Sequence, residues 1–190
     1  MNPMRVFLVV VILWVGSEFV LLFAKRSRSG DASQKDQGSV WVLWLVFTVC
    51  AFLAGTFQSV PETRMPALLR PWAFWTGLAL IVVGFVLRLT AIFTLRRYFT
   101  VDVAIARDHK VIDTGLYGIV RHPSYTGSLV SFLGLGVAFA NWVSLAIMII
   151  GPALAIAYRI RIEERALLSA LGDSYRAYAA RTKRLIPGVF

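Results

Sequence analysis

Val40-Trp-Val-Leu-Trp-Leu-Val-Phe-Thr-Val-Cys-Ala-Phe-Leu-Ala-Gly-Thr-Phe-Gln-Ser-Val60 contains no charged residue. The hydrocarbon core of a bilayer is about 30 Å thick and takes roughly 20 helical residues to cross. Unpaired backbone groups are costly in lipid, so a stretch of this kind must be helical. It predicts a transmembrane helix, and the pattern recurs on both sides of it. Met4 to Ala24 has Glu18 as its one carboxylate, and Trp72 to Leu95 carries only Arg88. Tyr125 to Ala140 and Val143 to Tyr158 are free of charge. The expectation is five transmembrane helices, the last two a tight hairpin because only Asn141-Trp142 separates them.

The composition agrees. At 190 residues the chain has the length of one domain, yet 58% of it is apolar, six residues are tryptophan and the mean hydropathy is +0.70. That is too apolar for a water-soluble core of this size. The first apolar run is too long for a signal-peptide core and has no small-x-small cleavage site before Lys25, so it reads as a retained helix. The net charge of +10 could suggest a nucleic-acid partner, but its distribution argues against one. Lysine and arginine collect in the first loop (Lys25, Arg26, Arg28, Lys35), the third (Arg96, Arg97, Arg107, Lys110, Arg121) and the C-terminal segment from Arg159 onward. The alternate side holds only Arg5, Arg64 and Arg70. This positive-inside asymmetry predicts an outside N-terminus and a cytoplasmic C-terminus, with some attraction to anionic lipid headgroups. Cys50 is the only cysteine, so neither an intrachain disulfide nor a thiol-based metal site is available.

Against this background two polar clusters stand out. The first is Asp113-Thr-Gly-Leu-Tyr-Gly-Ile-Val-Arg-His-Pro-Ser-Tyr125, and the second is Arg159-Ile-Arg-Ile-Glu-Glu-Arg165. Proline suits the first turn of a helix and pushes the residue before it out of the helical region. Arg121 and His122 are therefore expected in an extended turn, with Pro123 to Tyr125 opening the fourth span. A helix N-terminus suits a carboxylate or phosphate. Gly127, Ser131 and Gly134 form a small-residue face for close helix packing. Gly151-Pro152 predicts a kink in the fifth span. Beyond it Arg159 and Glu163 share a helical face at i, i+4 spacing, and helix is expected to continue to Gly172. Asp173 then caps a short helix, Ser174 to Arg181. The residues from Lys25 to Ser39 read as a polar linker. Those from Tyr98 to Val120 read as extended segments and turns on the cytoplasmic face, a lid or ligand-binding segment. Glu18 is expected to pair with Arg26 or to be hydrated, and Arg88 to snorkel to the interface. The two clusters are expected to meet at one membrane face and form a single site.

Gly115-Leu-Tyr-Gly-Ile-Val-Arg-His-Pro-Ser-Tyr-Thr-Gly127, a helical hairpin, Arg-Ile-Arg-Ile-Glu-Glu164 and Leu171-Gly-Asp-Ser-Tyr-Arg-Ala-Tyr178 together resemble the isoprenylcysteine carboxyl methyltransferase family. These are integral membrane enzymes with relatives among the phospholipid N-methyltransferases. The resemblance covers Asp102 to Pro187. It implies S-adenosylmethionine as cofactor, contacted by Asp102, His109, Val111, Ile112, Tyr117, His122, Pro123, Ser124, Tyr125 and Glu163. It implies catalytic roles for Arg159, Glu163 and Glu164, with Arg159 also touching the methyl acceptor. No metal is implied. Where family members often carry His-x-Leu-Val, this chain has His109-Lys-Val-Ile.

The resulting expectation is an all-α integral membrane protein: five transmembrane helices, a cytoplasmic cofactor-binding loop and short C-terminal helices. Residues 1–95 would form three anchoring helices and 96–190 the catalytic region. The function would be transfer of a methyl group to a lipid-like or small hydrophobic acceptor, with membrane lipids as surroundings and no obligate protein partner. The acceptor could be a carboxylate, an amine or a thiol. The alternatives are a phospholipid N-methyltransferase or an NADPH-dependent, sterol-reductase-like membrane reductase, although no Gly-x-Gly-x-x-Gly turn is present for the latter. A non-enzymatic membrane protein would leave the density of His, Tyr, Arg and Glu at one face without a role. The short loops fit a prokaryotic inner-membrane protein.

Overall fold

The computed structural model describes residues 2–24, 32–34, 38–101, 104–106 and 110–188. Six α-helices carry the fold: α1 (Pro3–Ala24), α2 (Ser39–Phe57), α3 (Arg70–Leu95), α4 (Pro123–Ala138), α5 (Trp142–Leu171) and α6 (Asp173–Arg181). Single 3₁₀ turns lie at Pro61–Thr63, Ala67–Leu69, Arg96–Tyr98 and Gly115–Gly118. The only sheet among the described residues pairs β1 (Ala32–Gln34) with β2 (Ala104–Ala106), antiparallel. The architecture is otherwise helical.

Among the described residues, four segments are long and apolar enough to cross a membrane: Pro3–Leu22, Ser39–Phe57, Ala67–Leu95 and Trp142–Leu171. The fifth expected span is shorter than that. α4 has 16 residues, and at 1.5 Å per residue it covers about 24 Å, less than a bilayer core. Its apolar run ends early because the chain turns at Ala140, which takes a positive φ of 49°. Asn141 then caps α5, its side chain accepting from the Ser144 amide at 3.0 Å. The same side chain donates to Phe57 O at 2.9 Å and Thr63 Oγ1 at 2.6 Å, tying the hairpin to the end of α2.

α3 and α4 lie together backbone to backbone. A Cβ on Gly84 would stand 2.5 Å from Gly127 O, and one on Gly127 would stand 2.6 Å from the Arg88 amide. Gly77 and Gly134 repeat the arrangement further along, with Gly134 O 2.5 Å from a Cβ on Gly77. No side chain larger than hydrogen fits at these points, and Ser131 adds a hydrogen bond to Ile81 O at 3.3 Å. The expected small-residue face is thus the α3 contact. α2 meets α5 through a side chain instead, since a Cβ on Gly151 would collide with Cys50 Sγ. The apolar core joins α1 to the other helices through Trp14, Ala54, Ile81, Phe132, Leu135 and Met148.

α5 is a single helix from Trp142 to Leu171 with Pro152 inside it, and its continuation to Gly172 is as the periodicity predicted. The cap after it differs. Gly172, at φ 54°, occupies the position before α6, and Asp173 is the first helical residue, with its carboxylate on Arg176 at 2.9 Å. Only glycine takes that backbone conformation at little cost.

Candidate active site

The site forms where the end of α3, the start of α4 and the second half of α5 converge. His122 is non-helical, at φ −126° and ψ 56°, and Pro123 opens α4. The turn is held from outside by the C-terminal segment. The Arg121 amide donates to Lys183 O at 2.7 Å, the His122 amide to Arg184 O at 3.0 Å, and Thr126 Oγ1 to Leu185 O at 2.9 Å. From α6, Tyr178 Oη donates to Tyr117 O at 2.7 Å. Sequence reading missed this clamp, because nothing in the tail's composition marks a backbone pairing partner.

The two predicted clusters meet. Tyr125 Oη donates to Glu163 Oε2 at 2.8 Å and accepts from Arg159 Nε at 3.3 Å, so one hydroxyl bridges the i, i+4 pair on α5. Arg159 is buried, and its remaining donors reach Ser39 Oγ on α2 and Val101 O. The His122 ring lies between two carboxylates, with Nδ1 3.9 Å from Glu163 Oε1 and Nε2 3.4 Å from Glu164 Oε1.

Those two glutamates have different surroundings. The Glu163 side chain is 32% exposed and lines a cavity, whereas Glu164 is 11% exposed and faces away from it. Glu164 is instead bound by Arg121 Nε at 3.0 Å and by Arg184 Nε at 2.9 Å. That hydrogen bond and charge hold the Arg184 guanidinium above its usual range. Both oxygens of Glu164 are thus engaged by guanidinium groups, while Glu163 is the one of the two that meets the cavity. Neighbouring helical positions point about 100° apart, and on α5 it is Glu163 that faces the cavity.

The cavity encloses about 430 Å³, within the range of small-molecule sites. One end is polar and aromatic, with Tyr117, His122, Tyr125, Glu163, Tyr175 and Tyr178. The other runs into an apolar chamber between α1, α2 and α4, with Trp14, Phe47, Phe132 and Leu135. Val111, Ile112, Ser124 and Arg159 also line it. Pro123 is fully buried and off its wall. Asp102 and His109 lie outside the described residues. Burial raises the Tyr117 and Tyr175 phenols and pushes that of Tyr178 up to about 12, so all three are neutral hydrogen-bonding groups at physiological pH.

Two charges are placed against expectation. Arg88 turns inward and grips Glu18 across the cavity wall, with Nη2 2.6 Å from Oε2 and a second contact from Nε to Oε1. Its Nη1 donates to Ser124 Oγ at 2.8 Å. Arg88 does not snorkel but pairs with Glu18, and Arg26, the partner expected for Glu18, lies outside the described residues. The signal was available. Glu18 and Arg88 are opposite charges set within two otherwise apolar spans, and such groups pair in a bundle interior.

A family model for the isoprenylcysteine carboxyl methyltransferase (ICMT) family matches residues 77–169, which contain the turn, α4 and most of α5. A protein-S-isoprenylcysteine O-methyltransferase B from Arabidopsis thaliana is 37% identical over 145 residues, covering 73% of each chain. The chain belongs to the isoprenylcysteine carboxyl methyltransferase family. A probable protein-S-isoprenylcysteine O-methyltransferase from Oryza sativa subsp. indica extends the likeness to 95% of this chain and 94% of its own, at 28% identity. Among solved structures, the eukaryotic intramembrane Ras methyltransferase ICMT aligns with a TM-score of 0.63 and 28% identity. That alignment covers 75% of this chain and 52% of the solved one, so this chain spans about half of that protein. The matches are to methyltransferases and do not favour a reductase. With its long apolar helices, this ICMT-family chain is an integral membrane protein.

Proposed function

We propose that the chain is an S-adenosylmethionine-dependent methyltransferase acting at the membrane on a lipid-like or small hydrophobic acceptor, most like isoprenylcysteine carboxyl O-methylation. The observation that carries this reading is the Arg159–Tyr125–Glu163 linkage on the wall between the polar end of the cavity and its apolar chamber. Bound S-adenosylmethionine would supply an electrophilic methyl group on a sulfonium, chemistry that needs little acid or base from the protein. Most of the acceleration then comes from holding the two reactants in line.

The residues present suit that donor. Glu163 keeps a partly open carboxylate for hydroxyl or amino groups, and Tyr117 and Tyr125 offer aromatic faces to a cation. Tyr175 Oη is buried and without a hydrogen-bond partner among the described residues, the mark of a donor awaiting an acceptor. Val111, Ile112, His122 and Ser124 complete the lining. Arg159, two of whose donors are already set on Ser39 and Val101, is rigid enough to orient an anionic acceptor group at the chamber mouth. Five membrane-crossing helices follow if α4 sits in the bilayer on the back of α3. The site and the C-terminus then face the cytoplasm of a prokaryotic inner membrane, in accord with the basic loops.

The test is calorimetry of S-adenosylmethionine with the detergent-purified chain. Micromolar binding is expected. Tyr125→Phe, which removes a hydroxyl bonded to two charged groups, should weaken it about tenfold or more, and Glu163→Ala at least as much. A folded wild-type chain that binds NADPH and not S-adenosylmethionine would overturn the reading.

A further inference from the structure

Glu18 and Arg88 are the charged residues of α1 and α3 that line the cavity, with side chains 20% and 12% exposed. Taking both out of water costs several kcal/mol per ion, and apolar residues of the same shape often give an equal or better fold. Stability alone therefore does not account for the pair. Its geometry points elsewhere. The guanidinium presents its fork to both carboxylate oxygens of Glu18 and turns its remaining nitrogen to Ser124, reaching Oγ at 2.8 Å and the carbonyl at 3.4 Å. Only arginine has donors enough, in one plane, to hold a carboxylate and a hydroxyl together.

Ser124 is the residue between Pro123 and Tyr125. Tyr125 carries the hydroxyl that bridges Glu163 and Arg159, and His122 stands between the two glutamates. The α3 backbone beside Arg88 is already pressed against α4, since a Cβ on Gly127 would lie 2.6 Å from the Arg88 amide. From Arg88 the pair reaches to α1, whose Trp14, Val15, Glu18 and Phe19 form one wall of the apolar chamber. One ion pair thus ties the chamber wall to the first turn of α4.

We propose that Glu18 and Arg88 are a positioning pair for methyl transfer, holding the Ser124 turn and its donor-facing neighbours in register with the acceptor chamber. This rests on the methyltransferase reading above. The pair is bonded to the turn through Ser124, the neighbour of Tyr125, and a small displacement of those groups is enough to spoil an in-line geometry.

The experiment compares S-adenosylmethionine affinity by calorimetry with the thermal melting of the same detergent-purified full-length samples. Arg88→Lys keeps the charge but offers a point donor that cannot span Glu18 and Ser124. The double variant Glu18→Gln with Arg88→Gln removes both charges, leaves none unpaired, and carries the test if Arg88→Lys does not fold. The expected result is affinity about tenfold or more weaker in each folded variant, with melting temperatures close to that of the wild type. Affinity unchanged within about twofold would overturn the proposal and leave the methyltransferase reading intact. So would failure of both variants to fold, because the pair would then be a stability element. A folded wild-type chain that binds no S-adenosylmethionine would overturn both.

Discussion

Glu164 is held by two cations, Arg121 and Arg184, which bond to its two oxygens, and the His122 ring lies against one of those oxygens. Removing the carboxylate leaves these groups facing one another in a half-buried setting. Breaking such a pair costs about 3–5 kcal/mol, and the partial exposure of Arg184 places the cost near the lower end. Glu164→Ala is therefore expected to lower the melting temperature sharply, and Glu164→Gln, which keeps an acceptor oxygen, by less. Glu163→Gln faces the cavity and should leave the melt nearly unchanged. Equal losses from Glu163 and Glu164 would contradict the division of labour between them. The sequence placed both glutamates beside the His-Pro turn correctly, because Pro123 sets where α4 begins and Arg159 and Glu163 share a face. Which of the adjacent pair faces inward depends on the rotation of α5 against its neighbours, and no local pattern sets that.

At the level of elements, the seam between α3 and α4 is the most demanding contact in the fold. Gly127→Ala drives a methyl group to 2.6 Å from the Arg88 amide and 2.9 Å from Arg88 Cβ. Backbone on backbone has little room to yield, and overpacking of this kind costs about 1–3 kcal/mol. The variant is expected to lose thermal stability and, because the same shift moves Arg88 away from Ser124, donor affinity as well. Gly16→Ala is its control, since nothing lies within 4 Å of the added carbon on α1. A melt for Gly127→Ala matching that of Gly16→Ala would count against the packing account. The spacing of Gly127, Ser131 and Gly134 announced a close helix contact, but not its partner. The reciprocal glycines on α3, Gly77 and Gly84, are visible as a partner only when the helices are seen together. The Glu18–Arg88 pair had its signal in two opposite charges within apolar spans, but its reach to Ser124 is visible only with α1, α3 and α4 side by side.

For the whole molecule, the basic loops and the short Pro61–Pro71 connection predict which side each end faces. On a Cys50→Ser background, Glu62→Cys should react with a membrane-impermeant maleimide in intact cells. Arg176→Cys should react only after permeabilisation. Both side chains are exposed in the fold, so a lack of labelling reports the membrane and not burial. Labelling of Arg176→Cys in intact cells would reverse the proposed topology. The membrane class and the convergence of the two clusters were legible from charge and hydropathy. The clamp by residues 183–185 was not, since it is made of backbone bonds that any tail could offer. The glycine seam also bears on how the chamber fills. Two helices locked main chain to main chain behave as a single stiff plate, because an interior packed this tightly shifts between discrete arrangements and does not stretch. The opposite wall is built of side chains, where α1 meets α2 through the Phe19–Trp44 ring contact at 4.9 Å.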